Sequence, residues 1–167
     1  YLSCVRSFLY GRLLHAQLIL GEALLGKGLL AEALAKRLLC QRTDAEEAAC
    51  GQCISCQRFG QGSHGDFRKI AIEFNEKTGK LKTAISVEQI RDMSEWLSLT
   101  AQLSGPRVVI IETAHRMNLN AANALLKTLE EPSGDTRFIL ATDAQHQLLP
   151  TIRSRCVAHP MAGPSQK

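Results

Sequence analysis

Ala16-Gln-Leu-Ile-Leu20 followed by Gly21-Glu-Ala-Leu-Leu-Gly26-Lys27-Gly28 decides the fold, because it joins an apolar run to a glycine-bounded loop that ends on a lysine. From Lys27 to Leu39 the leucines and alanines return at helical spacing, with Leu30, Leu34 and Leu38 on one face beside Ala31 and Ala35. The order is therefore strand, loop, helix, the setting a phosphate-binding loop requires. In such a loop the backbone N–H groups and the helix N-terminus cradle phosphates, and Lys27 would reach the terminal ones.

Two parts of that motif are missing. The residue after the lysine should carry a hydroxyl for Mg²⁺, and Gly28 has none. Leu24 stands where a further glycine is common, and its Cβ resists left-handed dihedrals and should crowd the phosphate path. The acidic partner is altered as well. The buried run Arg107 to Ile111 (RVVII) leads into Glu112-Thr113-Ala114-His115, so a longer carboxylate replaces the expected Asp and Thr113 cannot act as a general base. The reading is a decayed nucleotide fold, in which Gly21, Gly26, Lys27 and Glu112 mark a site where ATP binding is doubtful and hydrolysis is not expected; a working ATPase and a mere strand-turn-helix with no ligand memory are the alternatives.

Outward from this stretch, strands and helices alternate. Phe67 to Ile72 is a strand candidate, Glu73 to Lys82 reads as a loop, and Ser86 with Gln89 forms a capping box before a helix from Val87 to about Leu99. RVVII is apolar enough to be buried on both faces and belongs at the centre of a sheet. A helix begins near Asn118 or Asn120, with Leu119, Ala122, Leu125, Leu126 and Leu129 along one face, and Pro132 stops it. Phe138 to Ala141 is another buried strand. A helical turn over Leu148 to Ser154 and a short strand over Cys156 to Ala158 complete the order. This predicts an α/β fold, a parallel sheet flanked by helices on both faces.

Residues 40–60 interrupt that alternation with Cys40, Cys50, Cys53 and Cys56, four of the six cysteines in the chain. Two consecutive C-x-x-C pairs bring thiolates onto one ion, and four of them close a tetrahedral structural zinc site. Free buried cysteines or redox pairs are the alternative. Cys4 and Cys156 stand apart, and His64, a candidate substitute ligand, reads as an ordinary surface histidine.

Composition narrows the function classes. With 167 residues there is room for about one domain. Twenty Lys and Arg against 16 Asp and Glu give +4, short of the basic balance of a dedicated nucleic-acid binder. Arg6, Arg12, Glu22 and Lys27 break the leucine-rich beginning, so a membrane span is not expected there.

The succession Asn120-Ala-Ala-Asn-Ala-Leu-Leu-Lys-Thr-Leu-Glu-Glu-Pro132, Arg137-Phe-Ile-Leu-Ala-Thr142 and Ile152-Arg-Ser-Arg-Cys156 resembles the clamp-loader subunits of bacterial DNA polymerase III. Within that family, the two decayed motifs look like the delta-prime type rather than the ATP-hydrolysing gamma/tau type. The resemblance implies an AAA+ module over residues 1–167, a fragment lacking the helical lid and collar domains, with a zinc insertion at 40–60. It implies Thr142 at a sensor position and, in Ser154-Arg155-Cys156, an arginine finger, Arg155, reaching a neighbouring subunit's ATP site. It also implies a cytoplasmic hetero-oligomeric ring with gamma/tau and delta subunits, acting on the sliding clamp and on primer-template DNA during replication, within a holoenzyme that is a DNA-directed DNA polymerase. The rivals are an active gamma/tau-like ATPase and a zinc-ribbon nucleic-acid-binding module. Eight aromatic residues offer the latter little stacking platform.

Overall fold

A computed structural model of the chain describes residues 15–42 and 48–162. Cys4 and part of the cysteine insertion lie outside them. Among the described residues, five strands form one parallel sheet: β1 (Ala16–Leu20), β2 (Phe67–Ile70), β5 (Arg107–Ile111), β6 (Thr136–Thr142) and β7 (Val157–Pro160), in the order β2-β5-β6-β1-β7. The helices are α1 (Lys27–Leu39), α2 (Ile54–Gly60), α3 (Val87–Ser98), α4 (Leu119–Glu130) and a single turn, α5 (Pro150–Arg153).

The central strands are apolar on both sides because both sides are covered. Every residue of RVVII is buried, and alternate residues feed two separate cores. Val109 and Ile111 join Leu18, Phe138 and Leu140 beneath α3 and α4, whereas Val108 and Ile110 join Ile19, Ile139 and Ala141 beneath Ala31, Leu34 and Ala35 of α1.

Local signals hold at the helix starts. The Ser86–Gln89 capping box is formed in both directions, and Asn118 caps α4 by accepting from the Ala121 N–H at 2.8 Å. Elsewhere the sequence expectations need correction. The segment Glu73 to Lys82 is not all loop: β3 (Phe74–Asn75) and β4 (Lys80–Leu81) pair antiparallel around a turn with Gly79 at φ +67°. Strand β2 stops at Ile70 instead of Ile72 and β7 covers Val157–Pro160, whereas α3 runs from Val87 to Ser98 as expected. Leu119 is exposed, so the buried face of α4 is Ala121, Ala122, Leu125 and Leu129.

Between insertion and sheet lies a buried polar cluster that the sequence reading did not find. His64 is buried, not a surface histidine. Its Nε2 lies 2.7 Å from Ser55 Oγ, its Nδ1 accepts from the Asp66 N–H, and Ser55 Oγ donates to the Leu39 carbonyl at 2.6 Å. The backbone donor at Nδ1 places the ring proton on Nε2, so Ser55 Oγ accepts a hydrogen bond from this histidine and cannot be deprotonated by it. The trio is a fastener between α2, the end of α1 and the start of β2, not a nucleophile and base. Burial holds His64 below the usual histidine range, against the pull of Asp66, so it is neutral near pH 7.

Asp66 beside it is almost wholly buried and accepts from the Gln102 and Leu103 N–H groups at 2.8 and 2.7 Å. Its Oδ1 also faces Arg107 Nε at 3.7 Å, and that guanidinium lies over the Trp96 ring and donates to the Trp96 carbonyl. Asp66→Ala leaves two N–H groups without their acceptor and a buried cation without its counter-charge. It is expected to cost about 3–5 kcal/mol in urea denaturation, with Asp66→Asn losing less because one acceptor oxygen remains. A loss below about 1 kcal/mol for the alanine variant would contradict this account.

Candidate functional site

The strands β5, β6 and β1 are neighbours and parallel, so their C-terminal ends open on one edge of the sheet. There the loop after β1 meets Glu112 and Thr113 after β5 and Thr142 and Asp143 after β6. Together they line a cavity of about 480 Å³ with Gly26, Lys27 and Gly28. The sequence-predicted residues Gly21, Gly26, Lys27, Glu112 and Thr142 are thus brought to one edge, although Gly21 lies behind the loop, its N–H bonded to the Thr142 carbonyl.

The loop has the backbone of a phosphate cradle. Gly26 takes φ +78° as the residue before α1, a conformation that favours glycine. Leu24 also takes a left-handed φ of +67°, the strain anticipated from its Cβ. Its side chain does not crowd the path, however: it is fully exposed at the rim of the cavity. The Lys27 ammonium is turned back onto the loop, donating to the carbonyls of Gly21 at 2.9 Å and Glu22 at 2.5 Å.

The residues do not fit a magnesium–nucleotide complex. Gly28 supplies no hydroxyl, and a Cβ placed on it would lie 3.1 Å from Glu112 Oε1. Glu112 is itself engaged by Lys69 at 2.9 Å. Thr142 is buried, and its Oγ1 accepts from the Ala144 N–H and lies 2.8 Å from His115 Nδ1. His115 Nε2 faces Asp143 at 3.4 Å. Burial lowers the His115 pKa although Asp143 opposes it, so the ring is neutral, and its proton is assigned to Nε2, towards the carboxylate. The Thr142 hydroxyl proton is then spent on His115 Nδ1 and is not presented to a ligand.

Cys40, Cys50, Cys53 and Cys56 form the second site. Cys40 closes the end of α1, Cys53 caps α2 by accepting from the Cys56 N–H, and Cys56 lies within α2. The four thiol sulfurs of Cys40, Cys50, Cys53 and Cys56 lie within 4.8 Å of one another, and Cys50 and Cys56 are 4.0 Å apart. A tetrahedron with Zn–S bonds of ~2.3 Å has edges of about 3.8 Å, so the four fit zinc with little movement. Backbone N–H groups already point at these sulfurs: Cys50 to Cys40, Gln52 and Cys53 to Cys50, and Cys56 to Cys53. Such donors stabilise thiolate, and those from Gln52 and Cys53 bring Cys50 down to about 6. Burial pushes Cys56 the other way, up to about 12. Four thiols this close cannot all ionise unless a cation is among them. His64, spent on Ser55 and Asp66, is not among the clustered donors.

A third feature lies between α5 and the start of β7. Arg155 follows α5, is partly exposed, and donates to Glu130 Oε1 at 2.6 Å and to the Thr151 carbonyl at 3.0 Å. Cys156 beside it is buried, and burial raises its thiol to about 12.

The model of a family described as "DNA polymerase III, delta subunit" matches residues 3–164. The delta-prime subunit of Pseudomonas aeruginosa DNA polymerase III is 49% identical over 129 residues, which are 76% of this chain and 37% of that protein. The Escherichia coli delta-prime subunit is 40% identical over 163 residues, 98% of this chain and 47% of that protein.

The chain belongs to the DNA polymerase III delta-prime family.

It spans less than half the length of these delta-prime relatives. The Bacillus subtilis tau subunit is more distant, 34% identical over 117 residues, or 70% of this chain and 19% of that protein. Among solved structures, a gamma-subunit-related protein of Thermotoga maritima superposes with a TM-score of 0.69 at 24% identity, covering 98% of this chain and 46% of that one. The Thermotoga maritima RuvB branch-migration motor reaches 0.57 at 17% identity, covering 96% and 42%. These two likenesses show that this chain shares their fold and nothing finer. Among the described residues, no helix is long and apolar enough to cross a membrane.

Sequence reasoning missed Glu32, Lys69, His115 and Glu130. Lys69 and Glu112 could have been paired from strand register: Lys69 lies opposite Ile110, and Glu112 follows Ile110 by two, on the same face.

Proposed function

We propose that this chain is the AAA+ part of a nonhydrolysing clamp-loader subunit. It takes its place in a hetero-oligomeric ring with gamma/tau and delta subunits that loads the sliding clamp onto primer-template DNA. Its contribution to chemistry is made in trans, through Arg155 at a neighbour's ATP site. Zinc at Cys40, Cys50, Cys53 and Cys56 is structural, since four thiolates leave no open position for a reaction.

The observation that carries the nonhydrolysing reading is the state of the cavity. The residue after Lys27 has no side-chain oxygen, the residue after Glu112 is Thr113 with no carboxylate, and the Thr142 hydroxyl is held by His115. Hydrolysis needs a metal ligand, a water-orienting base and a donor to the terminal phosphate, and each of the three is lacking or engaged.

The expected result is that full-length protein, purified away from gamma/tau, turns over no ATP above buffer. Gly28→Thr with Thr113→Glu should restore almost nothing, because Lys69 still engages Glu112 and no neighbour supplies an arginine. Turnover by the unsubstituted protein that vanished in Lys27→Ala would overturn the reading in favour of an active gamma/tau-like ATPase.

A further inference from the structure

The decayed cavity holds an unexpected cation. Lys69 is on β2, the edge strand, and its register partner Ile110 packs in the core beneath α1. Side chains two apart on a strand share a face, so Glu112 emerges beside Lys69, and Glu32 comes from the second turn of α1 to meet both. The Lys69 ammonium lies 2.8 Å from Glu32 Oε1 and 2.9 Å from Glu112 Oε1. All three side chains line the cavity with Gly28, at which even a Cβ would press against Glu112 Oε1.

We propose that Lys69 is the resident cation of this cavity, standing between Glu32 and Glu112 where a working site carries its divalent metal, and that it keeps such a metal out. The inference rests on the reading of this cavity as a decayed nucleotide site, and it adds a cause. Loss of the hydroxyl at position 28 explains weaker metal binding, but it leaves two carboxylates facing one cavity, a set that hard cations favour. The ammonium removes that set. It takes one oxygen from each carboxylate, places a fixed positive charge where the ion would sit, and cannot leave without stranding Glu112, which is partly buried. Its two carboxylate partners, Glu32 first and then Glu112, hold Lys69 above the usual lysine range, so it stays charged at every pH of interest.

Mn²⁺ alone tests this, titrated into zinc-loaded full-length protein and followed by the paramagnetic resonance signal of the free ion. Mn²⁺ prefers oxygen ligands, so the cysteine cluster does not compete. The unsubstituted protein should retain no Mn²⁺ at this cavity. Lys69→Met keeps the apolar stem and removes the charge, and it should bind one Mn²⁺ about tenfold or more tightly than the parent protein. Adding Glu112→Gln should abolish the gain, and Lys69→Arg should not show it. Lys69→Gln is carried alongside in case the methionine variant misfolds. If the parent and both neutral variants bind Mn²⁺ alike, whether equally well or not at all, Lys69 is not what excludes the metal. ATP turnover read on the parent protein separates the two ideas: turnover would sink the nonhydrolysing reading, whereas the Mn²⁺ comparison decides the role of Lys69.

Discussion

Serine at any one of Cys40, Cys50, Cys53 or Cys56 is expected to take zinc content from one atom per chain to nearly none and to unfold the insertion while sparing the sheet. Structural zinc contributes about 10–16 kcal/mol of apparent binding free energy in small modules, comparable to the ~5–15 kcal/mol that holds a whole domain folded. Among the described residues the insertion is otherwise held by Phe59, which packs against the core beneath α1 with its ring 4.8 Å from that of Phe67. Its helix α2 has 7 residues, too few to be stable alone, and it buries only Ser55 and Cys56. The Ser55–His64 and Ser55–Leu39 hydrogen bonds attach it to the body, but at about 1 kcal/mol each they cannot replace the metal. The two cores on either side of the sheet contain none of Cys40, Cys50, Cys53 or Cys56, so they should survive.

Elemental analysis of protein prepared without chelator, together with limited proteolysis of the serine variants, checks both halves. Protein that contains no zinc, or a Cys56→Ser variant as protease-resistant between residues 40 and 60 as its parent, would remove the metal from the account. Cleavage spreading into β5 or β6 would instead show that insertion and sheet fold as one unit.

The legible parts of this molecule are those whose cause is local. RVVII is readable as a central strand because burial on both faces leaves no polar position to disguise it, and Ser86 and Asn118 announce helix starts through hydrogen bonds spanning three residues. The four cysteines are legible because consecutive C-x-x-C spacings bring thiols together over a few residues. What stays hidden depends on partners distant in sequence. Lys69 in Phe67-Arg-Lys-Ile70 reads as one polar residue of an edge strand until the sheet brings Glu112 alongside and α1 brings Glu32 above it. His64 is polar and flanked by glycine and serine, so nothing nearby betrays the burial that Ser55 and Asp66 impose. The β3–β4 hairpin escapes for another reason: Phe74 and Leu81 pair with each other but are exposed, and two-residue strands have no period to detect.

Arg155→Ala should leave folding and ring assembly intact and still depress DNA- and clamp-stimulated ATP hydrolysis by the neighbouring subunit. A guanidinium is planar, permanently charged and able to contact two phosphate oxygens at once, so it suits the charge that spreads over a transferring phosphoryl group. Arginine fingers change such rates by about 10³–10⁵, roughly 4–7 kcal/mol in barrier, of which one site among several in a ring would show a part. Folding should be indifferent to the change, because Arg155 is partly exposed and its ion pair with Glu130 is a surface pair worth about 0–1 kcal/mol. That pair and the Thr151 carbonyl engage Nη2 and Nη1, so the guanidinium must exchange these partners to meet a phosphate. Arg155→Lys should also fall short, since one ammonium cannot make the two-point contact. Steady-state ATPase of the reconstituted ring, with and without clamp and primed DNA, reads the effect, and gel filtration confirms assembly. Normal assembly with unchanged stimulated turnover in the alanine variant would show that Arg155 does not act in trans. A loss of assembly rescued by Arg155→Lys would make it an interface contact and not a finger.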